Sequence, residues 1–203
     1  MLNKSISDCT VLISEVDNGI YDALNKGIKI STGDIIGFLH ADDFFPNSFV
    51  LSEIVEAFSS QNIDAIYGDL NYVSRVDDKK VIRQWMSSGY KNGCLKLGWM
   101  PPHPTLYVRR HWYNKISGFD TDYMISADYK SVLELFLNKK FTSTYINKVL
   151  VVMRLGGTSN KSVKNICRKT KEDWKALRSV GFGYCSALIA LILKNFRKIK
   201  QFL

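Results

Sequence analysis

Short apolar runs alternate with amphipathic helical patterns through residues 1–160, and this alternation is the strongest constraint on the fold. Helical periodicity is clearest over residues 19–32, where Ile20, Leu24 and Ile28 share one face. The runs that predict strands are CTVLI (9–13), DIIGFL (34–39), DAIYGDLNYV (64–73), KKVIRQW (79–85), a short segment near 105–108 and the β-rich FTSTYINKVLVVMRLGG (141–157). Strands that alternate with helices predict an α/β fold with a mainly parallel sheet flanked by helices.

Two more helices are predicted within this part of the chain. One covers residues 48–60 and begins at Asn47 or Ser48, both of which are good capping residues. The other begins near Ala127 and is clearly amphipathic. The strand at 34–39 is too apolar to alternate, which is typical of a strand buried on both faces.

The net charge of +9 belongs to the end of the chain. Residues 1–160 hold 17 basic and 17 acidic residues, whereas residues 161–203 hold 11 basic and 2 acidic ones. The pattern predicts a domain at 1–160 followed by a basic, amphipathic helical tail at 161–203. Few aromatic residues interleave with these charges and no nucleic-acid-binding module is present in the sequence, so a nucleic-acid partner is not predicted.

The tail allows two interpretations. Its uninterrupted apolar stretch, residues 182–193, has 12 residues, whereas a membrane span needs about 20. With its basic flank, the segment 182–203 fits an interfacial helix on an anionic membrane surface. It fits equally well a terminal helix packed on the protein's own core.

The cysteines and the first residues of the sequence indicate the cellular compartment in which the protein is expected. Four cysteines, Cys9, Cys94, Cys167 and Cys185, are scattered without CxxC spacing, which is typical of reduced, intracellular proteins. No charged, apolar and small-residue succession opens the sequence, so a signal peptide is not predicted. The expectation is a cytoplasmic protein that can lie peripherally on the inner face of the cell membrane through its tail.

Two adjacent carboxylates, Asp42 and Asp43, end the apolar run 34–39 after only His40 and Ala41. Ligands of open α/β sheets bind outside the carboxyl ends of strands. Neighbouring acids there favour a divalent cation that is also held by substrate phosphates. The alternative is that one aspartate caps the following helix and the other is solvated.

Several segments together resemble the family 2 glycosyltransferases of bacterial polysaccharide assembly. They are SEVDNGIYDALNKGIKISTGDIIGFLHADDFF (14–45), MPPHPTLYVRR (100–110), SGFDTDYMISADYKSVLEL (117–135) and VVMRLGGTS (151–159). The resemblance implies a GT-A fold that binds a UDP- or dTDP-type sugar with Mg²⁺ or Mn²⁺. It implies an enzyme that moves the sugar, with inversion, to a saccharide or lipid-linked acceptor in cell-surface polysaccharide synthesis.

The resemblance also indicates which residues bind the sugar-nucleotide donor and its metal. Ala41, Asp42 and Asp43 stand at the DxD-type motif, with alanine at its first position; Asp43 is expected to bind the metal and Asp42 the ribose or sugar. Three residues match positions that line the sugar-nucleotide cleft: Asp17, Asn25 and Gly27. Asn25 beside Gly27 also fits a helix C-terminus. Arg154, with Gly156 and Gly157, is expected to close over the diphosphate, because arginine suits phosphate and glycine allows close approach.

An inverting transfer needs a base for the acceptor hydroxyl, and the resemblance gives this role to Asp128. The family has Glu-Asp where this chain has Ala127-Asp128, so one of the two acids is kept. The alternative is that Asp128 caps the helix. His103 in PPHP is expected to face the acceptor or to serve as a structural loop residue.

The family's usual opening strands and helix, which form the floor of the nucleotide pocket, do not precede residue 14 in this sequence. The expectation is that the N-terminal part of the nucleotide-binding half is absent. The alternative function is therefore an inactive, truncated glycosyltransferase that acts, if at all, only with a partner.

Overall fold

The structure, a computed structural model, describes residues 11–155, 163–199 and 201. Six helices and six strands occur in the described residues. In chain order they are α1 (Ile20–Ile30), β1 (Ile35–Ile36), β2 (Asp43–Phe44), α2 (Val50–Ser60), β3 (Ala65–Val73), β4 (Val81–Trp85), β5 (Tyr107–Arg109), α3 (Arg110–Lys115), α4 (Ala127–Leu137), β6 (Ser143–Arg154), α5 (Val163–Ser179) and α6 (Tyr184–Ile199).

The strands form one mixed sheet in the order β1-β5-β3-β6-β2, with β4 paired to β3 outside this path. Only β3 and β6 are parallel among the described pairings. The sequence predicted a mainly parallel sheet, whereas the sheet in the structure is mixed. The short turn between β3 and β4 forces an antiparallel hairpin, whereas β3 and β6 are joined by the long passage that includes α3 and α4.

The central strand β3 separates two apolar cores. Its side chains alternate: Ala65 and Tyr67 face the larger core with α1, α3, α4, α5 and α6, whereas Ile66 and Leu70 face the smaller core under α2. All four side chains are fully buried. Burial on both faces explains why the sequence of β3 is almost continuously apolar.

Two predicted strands differ from the structure. The apolar run at 34–39 forms only β1, because its neighbour in the sheet, β5, is itself three residues long and pairs with Ile35 and Ile36 alone. Residues 11–13 are exposed and form no strand, since no described strand lies beside them; Cys9 and Thr10 lie outside the described residues.

The helical tail packs on the larger core. Its buried side chains are Ala176, Leu177, Phe182, Ala187, Ala190 and Leu191. Gly98 lies directly under α6 with φ 72°, and a Cβ there would lie 2.2 Å from the backbone nitrogen of Lys194. Of the two interpretations of the tail, the structure shows the docked helix. The predicted boundary at residue 160 falls outside the described residues, and no described helix is long and apolar enough to cross a membrane.

Candidate functional site

A cleft of about 1760 Å³ lies between the ends of β2, β4 and β6 and the helices α1, α4, α5 and α6. Five of the residues singled out by the sequence line it: Asp42, Asp43, His103, Asp128 and Arg154. They come from segments up to 112 positions apart, so the fold gathers them into a single place.

Asp43 is the buried acid of the pair. It lies in β2, is 8% exposed, and its Oδ2 has no hydrogen-bond partner among the described residues. Burial raises the pKa of its carboxyl, an effect that the charge and backbone of His40 oppose and the charge of Asp42 reinforces. A buried carboxylate oxygen without a partner is costly unless a cation or donor reaches it. Asp43 is thus a strand residue rather than the exposed loop residue that a solvated acid would be.

Asp42 is exposed and charge-paired. Its Oδ2 accepts a 2.5 Å hydrogen bond from Nη2 of Arg75, which follows β3. Its backbone oxygen accepts a 3.3 Å bond from the Arg154 N–H. Sequence reasoning missed Arg75; its position two residues beyond the end of a predicted strand was the available signal.

Arg154 is held by two contacts at the end of β6. Its guanidinium donates to both carboxylate oxygens of Asp78 at 2.8 and 2.6 Å and lies 4.7 Å from the centre of the Phe44 ring. The paired charge of Asp78 raises the pKa of Arg154. The loop with Gly156 and Gly157, predicted to close over a diphosphate, lies outside the described residues.

Asp128 is the second residue of α4 and is half-buried. Its Oδ1 accepts hydrogen bonds from the backbone N–H of Tyr129 at 2.8 Å and from the Tyr21 hydroxyl at 3.3 Å. The Tyr21 hydroxyl also contacts the backbone oxygen of Ile125 at 2.6 Å. Burial and then the charge of Asp128 raise the pKa of Tyr21, so this side chain stays a proton donor toward Asp128.

The start of α4 is capped from another helix. The Glu172 carboxylate on α5 accepts hydrogen bonds from the backbone N–H groups of Met124, Ile125 and Ser126 at 3.1, 2.8 and 2.9 Å. Ser126, not Asp128, occupies the N-cap position. Glu172, which sequence reasoning missed, thus binds the backbone that leads into α4, whereas Asp128 accepts the Tyr129 N–H within the first turn.

His103 is 6% exposed and stacks on Phe38 with ring centres 6.0 Å apart. Its Nε2 is buried without a hydrogen-bond partner among the described residues. Burial lowers the pKa of His103 despite the opposing charge of Asp128, and His40 lowers it further. The side chain is thus a neutral imidazole at pH 7, next to the cleft.

Three predicted donor residues do not line the cleft in the structure. Asn25 accepts a 2.7 Å bond from the N–H of Phe119 and donates a 2.8 Å bond to its backbone oxygen. Its Oδ1 also fills the space beside Gly118, where a Cβ would approach to 2.4 Å. Asp17 pairs with Lys26 at 2.8 Å. Gly27 lies inside α1, which continues to Ile30, so neither Asn25 nor Gly27 ends a helix. The role of Asn25 is to fix a turn.

Comparison with known proteins identifies the family. The model for glycosyl transferase family 2 matches residues 2–129 of this chain, which is more than half of its 203 residues. The chain belongs to this family.

Curated relatives carry the same description. An uncharacterized glycosyltransferase of Mycobacterium tuberculosis is 29% identical over 126 residues, which cover 61% of this chain and 47% of the relative. A PGL/p-HBAD biosynthesis glycosyltransferase of Mycobacterium bovis is 24% identical over 169 residues, which cover 78% and 60% of the two chains. The chain spans about half the length of the curated relatives it matches.

Solved structures share the fold. Residues 1–349 of TarS from S. aureus, in complex with UDP-GlcNAc, match with a TM-score of 0.60 at 12% identity, covering 93% of this chain and 55% of TarS. The same TarS segment in another crystal structure gives 0.57 at 13% identity, covering 90% and 52%. This likeness, with the family assignment, confirms the predicted α/β fold of the GT-A type.

Proposed function

We propose that this chain carries the sugar-transfer site of a family 2 glycosyltransferase. It would move a sugar from a nucleotide-diphosphate donor to a saccharide or lipid-linked acceptor in cell-surface polysaccharide synthesis. The observation that carries the proposal is that Asp43, with a buried and unpartnered carboxylate oxygen, shares one cleft with Asp128, whose carboxylate is held by Tyr21.

Asp43 would hold the divalent ion, Mg²⁺ or Mn²⁺, and Asp42 would contact the ribose or sugar of the donor. No group of three or more His, Cys, Asp or Glu side chains able to bind a metal occurs among the described residues. The protein would therefore supply one or two carboxylates and the donor diphosphate the remaining ligands, as is usual for Mg²⁺. The orphaned Oδ2 of Asp43 fits this role, since a cation would satisfy it. The ion would supply positive charge to the departing diphosphate.

Arg75 and Arg154 add positive charge on the donor side. Both line the cleft, and each is oriented by one carboxylate, Asp42 or Asp78. Arginine binds phosphate oxygens through a planar fork of donors, so this pair fits a diphosphate. The nucleotide-binding roles of Asp42 and Arg154 remain our proposal.

Asp128 would act as the base of an inverting transfer. The acceptor hydroxyl oxygen attacks the anomeric carbon, the bond from that carbon to the diphosphate oxygen breaks, and the hydroxyl proton passes to a carboxylate oxygen of Asp128. Tyr21 and the Tyr129 N–H both bind Oδ1, which leaves Oδ2 to receive the proton. Neutral His103 would line the acceptor's path.

Calorimetric titration of UDP with and without Mn²⁺ tests this proposal. We expect heat of binding from UDP with Mn²⁺ and little from Mn²⁺ alone, because the described carboxylates do not complete a metal site. If UDP binds neither with nor without Mn²⁺, the alternative of an inactive chain that needs a partner is correct.

Membrane association is a second proposal. The structure reduces the set of tail residues that can contact a membrane. Phe182 and Leu191 are buried in the core, so they do not contact a membrane surface. Five exposed side chains instead form a stripe along α6: Tyr184, Leu188, Ile189, Ile192 and Phe196, each 45–70% exposed. We propose that this stripe contacts the inner face of the cell membrane, in a protein that works on the cytoplasmic side.

Sedimentation with phosphatidylglycerol vesicles checks the membrane proposal. Leu188→Glu with Ile192→Glu should reduce binding without lowering the melting temperature, because both side chains point away from the core. Unchanged sedimentation would remove the stripe from the membrane proposal. Leu51→Glu with Val55→Glu, on the exposed face of α2, is the matched control.

A further inference from the structure

Three lysines from the tail helices line the wall of the cleft beside Asp128. We call Lys169 on α5 and Lys194 and Lys198 on α6 the lysine wall. Nζ of Lys169 and Nζ of Lys194 lie 2.8 and 2.9 Å from the same oxygen, Oδ2 of Asp173. One buried carboxylate therefore holds two ammonium groups together at the edge of an open cleft.

The lysine wall carries more positive charge than its partner balances. Asp173 is 1% exposed, and it is the only carboxylate that forms an ion pair with these lysines among the described residues. Burial lowers the pKa of Lys194 to about 8, although the charge of Asp173 opposes this. Burial, Arg83 and Lys169 lower the pKa of Lys198. Cations held together in a partly buried place favour an anionic ligand.

The wall is close to the proposed base. Lys169, Lys194 and Asp128 all line the same cleft. Nζ of Lys194 also lies 3.2 Å from the centre of the ring of Tyr129, the residue that follows Asp128. The donor-side arginines, in contrast, are each matched by their own carboxylate.

We propose that the lysine wall binds a phosphoryl group of the acceptor and so places the attacking hydroxyl next to Asp128. Lysine is a normal phosphate ligand and acts as a point charge, so several lysines can reach one tetrahedral phosphoryl group from different directions. The acceptor is thus a phosphorylated saccharide or a lipid whose head group carries phosphate. The assignment to the acceptor rests on the proposed sugar transfer.

Calorimetry with inorganic phosphate, on the full chain without UDP or Mn²⁺ and at low salt, tests the site itself. We expect Lys169→Gln and Lys198→Gln each to weaken phosphate binding about tenfold, as for the loss of one charged hydrogen bond. Lys171→Gln is the matched control: it changes the same charge on α5, at an exposed position outside the cleft. Lys194→Met is made together with Asp173→Asn, so that no buried carboxylate loses its partner.

Three outcomes would overturn the inference. In the first, the parent protein does not bind phosphate. In the second, the parent and both glutamine variants bind phosphate equally. In the third, Arg154→Gln loses phosphate binding and the lysine variants keep it. The last would place the anion on the donor side. Retained phosphate binding in a protein that does not bind UDP would contradict the proposed function and leave the anion site standing, so the two failures are distinguishable.

A second measurement separates the two sources of the phosphoryl group. Vesicles of phosphatidylglycerol and of phosphatidylcholine are sedimented with the parent protein and with Lys169→Gln and Lys198→Gln. Weaker binding of these variants to the anionic vesicles supports a lipid head group in the cleft. Unchanged vesicle binding with weakened phosphate binding supports a soluble phosphorylated saccharide.

Discussion

The two sides of the cleft are built differently. The acceptor side that we propose has its base, Asp128, on α4. Glu172 binds the backbone that leads into this helix, and Tyr21 binds the carboxylate of Asp128. The donor side rests on β2, a strand of two residues, and on ion pairs whose side chains are one-third to one-half exposed. Exposed ion pairs contribute little to stability, typically below about 1 kcal/mol.

This difference indicates which side depends on its ligand. Side chains locked by packing and by buried hydrogen bonds are pre-organised for catalysis. The acceptor side meets that condition without a ligand. The proposed donor side leaves a buried carboxylate oxygen of Asp43 unpartnered, so we expect it to be completed by a cation and a diphosphate. Substitutions on the two sides should accordingly separate catalysis from binding.

The largest effect is expected from Asp128→Asn. The amide keeps the shape of the side chain but cannot accept the acceptor's proton, so transfer should fall by about 10²–10⁴-fold. UDP binding in the presence of Mn²⁺ should not change, because the donor side is intact. Initial transfer rates and calorimetry measure the two quantities. Asp122→Asn, on the exposed loop before α4, is the control, and full turnover by Asp128→Asn would exclude Asp128 as the base.

Asp43→Asn should produce the opposite pattern. Removing the carboxylate should weaken Mn²⁺-dependent UDP binding by at least about 10- to 100-fold, as for other changes at metal sites. The melting temperature should not fall, because the cost of burying the carboxylate outweighs its favourable contact with His40 in the ligand-free protein. Thermal unfolding and calorimetry test the pair of expectations. Equal Mn²⁺-dependent UDP binding by the variant and the parent would remove Asp43 from the metal site.

Glu172→Gln should have a smaller effect, limited to the acceptor side. The amide keeps one acceptor oxygen for three N–H groups, so the start of α4 should be destabilised by about 1–2 kcal/mol. Transfer should slow while UDP binding is retained. Urea unfolding gives the change in stability, with Lys171→Gln as the control on the same helix. A loss of UDP binding equal to the loss of transfer would contradict the separation of the two sides.

Much of this arrangement follows from local sequence. The helical periodicity of residues 19–32 gives α1, and the apolar segment 64–73 gives β3 almost residue for residue. Asp42 and Asp43 were singled out because they follow an apolar run, and Asp128 because of the family resemblance; the fold brings all three to the cleft. Helical periodicity and apolar runs depend only on residues that are near one another in the chain, so they can be recognised in the sequence.

Two contacts that the sequence did not predict act over long distances in the chain. Glu172 binds the backbone of a turn more than 40 positions earlier, and Asn25, which was expected to line the donor cleft, fixes a turn 94 positions later. Neither contact has a local pattern, since each is created by packing one helix on another. One signal was nevertheless present: Glu172 and Asp173 are the only acids among 11 basic residues in the tail. Each acid turns out to organise the cleft.

The smallest predicted effect is a pH dependence of stability due to Asp43. Burial raises the pKa of this carboxyl above its ordinary value of 3.8, so the folded protein binds a proton more readily than the unfolded chain. Stability due to this group therefore falls as pH rises from the ordinary pKa through the raised one, and the full penalty is present above the raised pKa. Asp43→Asn lacks the penalty at every pH. The melting temperature of the variant relative to the parent should be higher at pH 7 than at pH 4, whereas Asp122→Asn should show no such trend. A difference that does not change with pH would mean that the carboxylate is already stabilised without the metal, and the donor side would then be as pre-organised as the acceptor side.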